Sequence, residues 1–153
     1  MWRLVYLAAA VSILGLSGCG GDGLRRVAIQ GKVTAKGGVP VGNATVSFVP
    51  MDATKGEGGI GSTDTEGNFT LTGSRRGDAG VVPGKYRVVV SRFMNRDGTV
   101  IPLADYKEAD FPLAVDSVPA PYSGIKSPLL VTVPDDGGAI NVEIPVKLLG
   151  KQK

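Results

Sequence analysis

The sequence predicts an all-β domain, a seven-stranded Greek-key sandwich with one long irregular loop. Three observations carry this expectation. Glycine and proline, 23 and 10 of the 153 residues, punctuate the chain about every eight to twelve residues, the spacing of sandwich turns. The runs between them alternate apolar and polar residues with a period of two, as half-buried strands do. Sustained helical periodicity is absent from the same stretches.

The first strand is VAIQGKVT, which sets Val27, Ile29 and Val33 on one face and Ala28, Gln30, Lys32 and Thr34 on the other. Lys36, Gly37 and Gly38 turn it. ATVSFVPM follows, with Val46 and Phe48 opposed to Thr45, Ser47 and Val49. Residues 59–63 and 68–72 flank Asp64-Thr65-Glu66-Gly67, whose opening aspartate and late glycine signal a hairpin, and Phe69 and Leu71 point inward. KYRVVVSRF, introduced by Val82-Pro83-Gly84, places Tyr86, Val88 and Val90 on one face and Arg87, Val89 and Ser91 on the other. LLVTV at 129–133 is turned by 134–138 into AINVEIPVKL, where Ile140, Val142, Ile144, Val146 and Leu148 share a face. Pro145 cannot donate a ladder hydrogen bond, which sends this last strand to an edge.

Between these strands, residues 93–128 hold Pro102, Pro112, Pro119, Pro121 and Pro128 and no sustained alternation. A loop of that length in a compact domain is usually functional or disordered. A helical turn is expected at 102–110.

The N-terminus divides off from this domain. Met1, Trp2 and Arg3 precede LVYLAAAVSILGL, which has the apolar length of a signal-peptide core and is too short to span a bilayer comfortably. The one cysteine of the chain comes next, in Leu16-Ser17-Gly18-Cys19. This tetrapeptide resembles the bacterial lipobox, which implies removal of residues 1–18 and acylation of Cys19, palmitate being among the chains so attached. The mature protein is then expected to be anchored to a membrane from outside the cytoplasm, because two or three acyl chains hold far better than one. Gly20 stands where an inner-membrane retention aspartate would, which favours the outer membrane, facing the periplasm, in a host that has one. Residues 19–26 read as a flexible tether and residues 27–148 as the domain.

Composition excludes several activities. A formal charge of +3, with the cations scattered, is no nucleic-acid footprint. The chain has no histidine, so a Ser-His-Asp triad, a Cys-His pair and a histidine-bearing zinc site are excluded in their usual forms. Asp64, Glu66 and Asn68 alternate around Gly67 as in the opening of a calcium loop, but the distal glutamate is missing and turn chemistry accounts for them. No catalytic residue, metal or cofactor is expected.

GKVTAKGGVPVGNATVSFVP at 31–50, GSTDTEGNFTLTG at 61–73 and VVPGKYRVVVSR at 81–92 resemble the carboxypeptidase regulatory-like domain, a sandwich related to transthyretin. Pro121, Tyr122, Ser127, Leu129 and Val131 stand near a P-x-Y…S-x-L-x-V pattern of small bacterial lipoproteins that carry one such domain. The resemblance implies an accessory, non-catalytic role and supplies no ligand. Transthyretin-related hydrolases and iron dioxygenases both require histidine, so their chemistry does not carry over.

The candidate binding residues lie in the long loop. Asp105, Glu108 and Asp110 cluster beside Tyr106 and Phe111, with Tyr122 further on. Acids next to aromatics suit a glycan, a cation or a basic partner, and a solvated strap pinned by its aromatics accounts for the same residues. The expected function is a lipid-anchored extracytoplasmic module with a structural or protein-interaction role, its partners the membrane and another envelope protein. The alternative is capture of a carbohydrate by the 93–128 loop. A hydrolase built on two carboxylates about 5 to 9 Å apart is the third class.

Overall fold

The structure is a computed structural model that describes residues 22–75, 77–107 and 112–151. The signal segment, Cys19, Glu108, Asp110 and Phe111 lie outside the described residues. The described chain is all-β, with no helix. Its strands are β1 (Ile29–Ala35), β2 (Val39–Pro40), β3 (Thr45–Pro50), β4 (Gly59–Ser62), β5 (Asn68–Thr70) and β6 (Thr72–Gly73), followed by β7 (Gly84–Ser91), β8 (Phe93–Met94), β9 (Val115–Asp116), β10 (Leu130–Val133), β11 (Gly138–Ala139) and β12 (Val142–Ile144). They form two five-stranded sheets and a two-stranded ribbon.

One sheet is antiparallel throughout, in the order β10-β7-β3-β4-β6. Its registers set Phe48 opposite Val88 and Gly59, and Val131 opposite Tyr86. The other is built around β1. The first half of β1 pairs antiparallel with β5 and parallel with β11, and its second half pairs antiparallel with β2 and parallel with β12. Between β11 and β12 the chain bends, and the Ile140 carbonyl lies where a Cβ on residue 31 would stand, 1.9 Å away. Only glycine admits that approach. Across the same bend the Asn141 side chain accepts from Lys32 N at 3.1 Å, replacing a ladder bond.

The apolar alternation becomes one core shared by both large sheets, a β-sandwich-like arrangement. Ile29, Val33 and Ala35 of β1 and Phe69 of β5 are buried with Val46 and Phe48 of β3 and Tyr86, Val88 and Val90 of β7. Phe48 sits at its centre, its ring centroid 6.2 Å from that of Phe69 and 5.9 Å from that of Tyr86, both tilted, a geometry that suits aromatic quadrupoles. The Tyr86 hydroxyl donates to the Val82 carbonyl, so the one polar atom of that ring is satisfied, and burial pushes its pKa up.

The tertiary structure departs from the sequence-based expectation at one turn. At Asp64-Thr65-Glu66-Gly67 a turn forms, but the strand that leaves it changes sheets. Residues 68–70 pair with β1 and residues 72–73 return to β4, with Leu71 N donating to the Ile29 carbonyl at 2.8 Å between them. The turn after β10 also leads out of one sheet and into the other. Corner strands of this kind let one inward face serve both sheets. Leu71, Val133 and Val142 are all buried in the shared core. The last strand does lie at an edge: β12 pairs with β1 alone, and Pro145 falls one residue beyond it.

The described residues within 93–128 are more regularly bonded than their prolines suggest. Phe93 pairs with Asp116 and Met94 with Val115 in the β8–β9 ribbon. Ile101 N donates to the Phe93 carbonyl at 2.9 Å, and Ile101, Ser117, Val118 and Ser127 are buried. Two-residue strands are too short to show a period, which is why alternation failed to reveal them. At 102–110, the described part makes a tight turn in which Asp105 N donates to the Pro102 carbonyl at 2.9 Å.

Candidate functional site

The structure separates the loop residues that the sequence groups together. Asp105 is exposed. Tyr106 is half-buried, and its ring stacks on Phe93 with centroids 4.6 Å apart and planes 7° apart. Tyr122 packs against the core, and its carbonyl accepts from Val90 N at 3.2 Å. Of the six loop candidates, these three fall within the described residues.

A second cluster holds the start of the described chain against the domain. Asp22 accepts from Arg26 Nη1 at 2.9 Å and Nη2 at 2.7 Å, and from Leu24 N at 3.0 Å. Arg26 Nε reaches Asp78 at 3.0 Å, and Arg75 bridges Asp22 at 3.6 Å and Glu57 at 2.8 Å. The fork of Arg26 on Asp22 holds that carboxyl well below the usual carboxylate range, with the Leu24 amide adding to it. Arg75 lowers Glu57 in the same way. Val27 and Val81 exchange backbone hydrogen bonds of 2.8 and 3.1 Å just beyond.

The third cluster was not legible in the sequence. Arg92 follows β7 and is 5% exposed. Its Nε donates to Ser117 Oγ at 2.7 Å, whereas Nη2 is buried with no hydrogen-bond partner among the described residues. Asp116, whose charge acts on Arg92, has its own partners: Oδ1 accepts from Arg92 N at 3.1 Å and Val118 N at 2.8 Å, and Oδ2 from Ser91 Oγ at 2.6 Å. Burial lowers the Arg92 pKa, and the Asp116 charge opposes that shift.

Arg92 lines a cleft of about 550 Å³. Val39, Pro40 and Val100 make its apolar wall, and Asn43, Thr65 and Lys151 add polar groups. The wall is braced from behind. Thr63 Oγ1 donates to the Val41 carbonyl at 2.7 Å and accepts from Ala44 N at 2.8 Å, fixing the 41–44 turn. Asn43 there takes φ of 56°, which asparagine tolerates better than most residues. On the opposite side Lys151 N donates to the Gly98 carbonyl at 3.0 Å, which lays the end of the described chain along the 95–99 turn.

Among the described residues no three histidine, cysteine or carboxylate side chains gather as a metal site, and no helix is long and apolar enough to cross a membrane. Asp64, the opening residue of the sequence's calcium-like pattern, uses its carboxylate internally. Oδ1 accepts from Glu66 N at 2.8 Å and Asn68 N at 2.9 Å, and Oδ2 from Asn68 Nδ2 at 2.9 Å. Comparison of the chain with family models, characterised proteins and solved structures finds no match.

Proposed function

We propose that this chain is a lipid-anchored extracytoplasmic module with a structural or protein-interaction role, built as a seven-stranded Greek-key sandwich of the carboxypeptidase regulatory-like kind and acylated at Cys19. The observation that carries the reading is Leu16-Ser17-Gly18-Cys19 at the end of an apolar signal core. Two facing sheets with a shared core, and strands that change sheets at two turns, support the sandwich.

Anchoring has a geometric consequence. Cys19 stands three residues before Asp22, and Asp22 is bonded into the domain through Arg26 and Arg75. Three residues span at most about 10 Å. The lipid therefore holds the sandwich against the membrane surface rather than on a long lead, which suits a module that presents one fixed face to neighbouring envelope proteins. Carbohydrate capture by the 93–128 loop draws no support from the described aromatics, since Tyr106 lies on Phe93 and Tyr122 on the core.

The test is fractionation of cells carrying the wild type or Cys19→Ser, with crosslinking of the membrane fraction and mass spectrometry of the N-terminal peptide. The wild type is expected in the envelope fraction with an acylated Cys19 and a crosslinked envelope protein, and Cys19→Ser in the soluble fraction. Unchanged membrane retention of Cys19→Ser overturns the anchor. Crosslinking that yields only uncoupled protein overturns the interaction role.

A further inference from the structure

We propose that the outward face of the sheet β10-β7-β3-β4-β6 docks a protein partner that brings a carboxylate set among apolar side chains, the carboxylate meeting Arg87 and the apolar groups meeting Val49, Ile60, Ile125 and Leu130. This rests on the protein-interaction role proposed above and assigns that role a surface. The solvent side of an antiparallel sheet is ordinarily polar. The sheet around β1 obeys this with Gln30 and Lys32 of β1 and Asn68 and Thr70 of β5. The other sheet does not. Val49, Ile60 and Leu130 lie on its outward positions and are exposed, Leu130 by 63%, and Ile125 beside them is exposed by 83%. The registers gather them. Val49 and Leu130 flank Arg87 in one row across β3, β7 and β10, and Ile60 and Val89 flank Ser47 in the next row, about 7 Å along the strands. Arg87 Nη1 donates to the Ile125 carbonyl at 3.1 Å, which brings residue 125 to the same place. Single exposed apolar residues are ordinary, whereas a group of them marks a contact surface.

Charge selects the kind of partner. The five strands carry Lys85 and Arg87 and no carboxylate. At the rim, Asp52 follows β3 and Asp116 accepts from Ser91 Oγ at the end of β7, and among the described residues neither forms an ion pair with Lys85 or Arg87. The Ile125 carbonyl takes one of the five N–H donors of the Arg87 guanidinium, and no other bond to it forms among the described residues. An apolar surface laid over Arg87 without an acceptor would bury an unpaired charge. The partner therefore supplies the acceptor, and a carboxylate matches the planar fork in two points. An arginine ringed by aliphatic groups also has the composition of an interface centre, where the ring keeps water from the ion pair. A second copy docked by the same face would set Arg87 and Lys85 against their like with no acid between them. An anionic bilayer is recognised by clusters of about four to eight cations, more than Lys85 and Arg87 provide.

The test places the photocrosslinker p-benzoylphenylalanine in the full-length chain, in its native host, at Ile60, at Leu130 or, on the opposite sheet, at Thr70. Irradiation is expected to join one and the same protein to positions 60 and 130 and to give no adduct at 70. Mass spectrometry of the joined peptides should place a partner Asp or Glu next to the crosslink. With the crosslinker at Ile60, Arg87→Glu should lower the adduct about tenfold or more, since an attractive charge pair becomes a repulsive one, and exchanging the identified partner carboxylate for arginine should restore it. Leu130→Asp, at an exposed position directly across from Arg87, sets an acid beside the guanidinium from within the chain. It should lower the Ile60 adduct about tenfold as well and covers the case in which Arg87→Glu does not fold. An adduct to lipid, an adduct to a second copy of the chain, a full adduct in Leu130→Asp, or a partner contact without a carboxylate would each overturn the proposal. A protein adduct at Thr70 alone keeps the interaction role and removes it from this face, whereas no protein adduct at any of the three positions ends both.

Discussion

Arg92 Nε donates to Ser117 Oγ at 2.7 Å, joining the residue after β7 to the residue after β9 through two buried polar groups. Ser117 also accepts Leu149 N at its carbonyl, 2.7 Å away, and its own amide donates to the Arg92 carbonyl at 2.7 Å. One residue thereby ties the ribbon, the main sheet and the C-terminal segment together. Ser117→Ala leaves the backbone bonds intact and strips Arg92 of its described acceptor. We expect a loss of about 1 to 3 kcal/mol, read as a drop of several degrees in the thermal midpoint. A midpoint within one degree of the wild type would mean that another acceptor already serves Arg92.

Two glycines with similar backbone angles should respond differently to alanine. Gly80 has φ of 99°, and a Cβ there would stand 2.1 Å from the Val27 carbonyl, while Gly37 has φ of 85° and nothing within 4 Å. Gly37→Ala meets only the left-handed penalty, about 1 to 2 kcal/mol. Gly80→Ala must also push Val27 away from Val81 and should cost clearly more. Urea midpoints of the pair decide it, and equal losses would contradict the close approach at Gly80.

Acid should weaken the fold in a defined window. Asp22, Glu57, Asp64 and Asp97 are all held below their ordinary values, chiefly by side-chain hydrogen bonds from Arg26, Arg75, Asn68 and Thr99 respectively. A carboxyl whose pKa is depressed on folding contributes stability that is complete above its unfolded value, about 4, and is lost as the pH falls toward the folded one. Urea unfolding is therefore expected to be level from pH 7 to about 5 and to fall steeply below about 4. Asp22→Asn should shallow that fall. An unchanged slope in the variant would remove Asp22 from the account.

Shortening the long loop should separate its two halves. Replacing residues 103–113 with a short Gly-Ser linker removes the Tyr106 stack on Phe93 and should cost about 1 kcal/mol. Extending the replacement to residue 120 also removes Asp116, Ser117 and Val118, the last two fully buried, and is expected to abolish the cooperative transition. Circular dichroism melts of the two variants check this, and a folded 103–120 replacement would show that the ribbon is dispensable.

The sequence by itself determined which faces are buried. Val46 and Phe48, Tyr86, Val88 and Val90, and Val142 and Ile144 are read off a period of two, and all are in the core, because the pleat alone sends alternate side chains to one side. It determined the turn at 64–67 through Asp64, whose carboxylate holds the amides of Glu66 and Asn68. Sheet membership was decided only by tertiary structure. An inward face is equally satisfied in either sheet, and the choice that takes residues 68–70 to β1 and 72–73 to β4 depends on pairing with strands distant in sequence. The same holds for Arg92. The period of two carries Arg92 onto the face of Tyr86, Val88 and Val90, but nothing local announces that Ser117, Asp116 and the C-terminal segment will close over its charge. Burial of a polar group is settled by which elements converge on it, and convergence is a property of the whole fold.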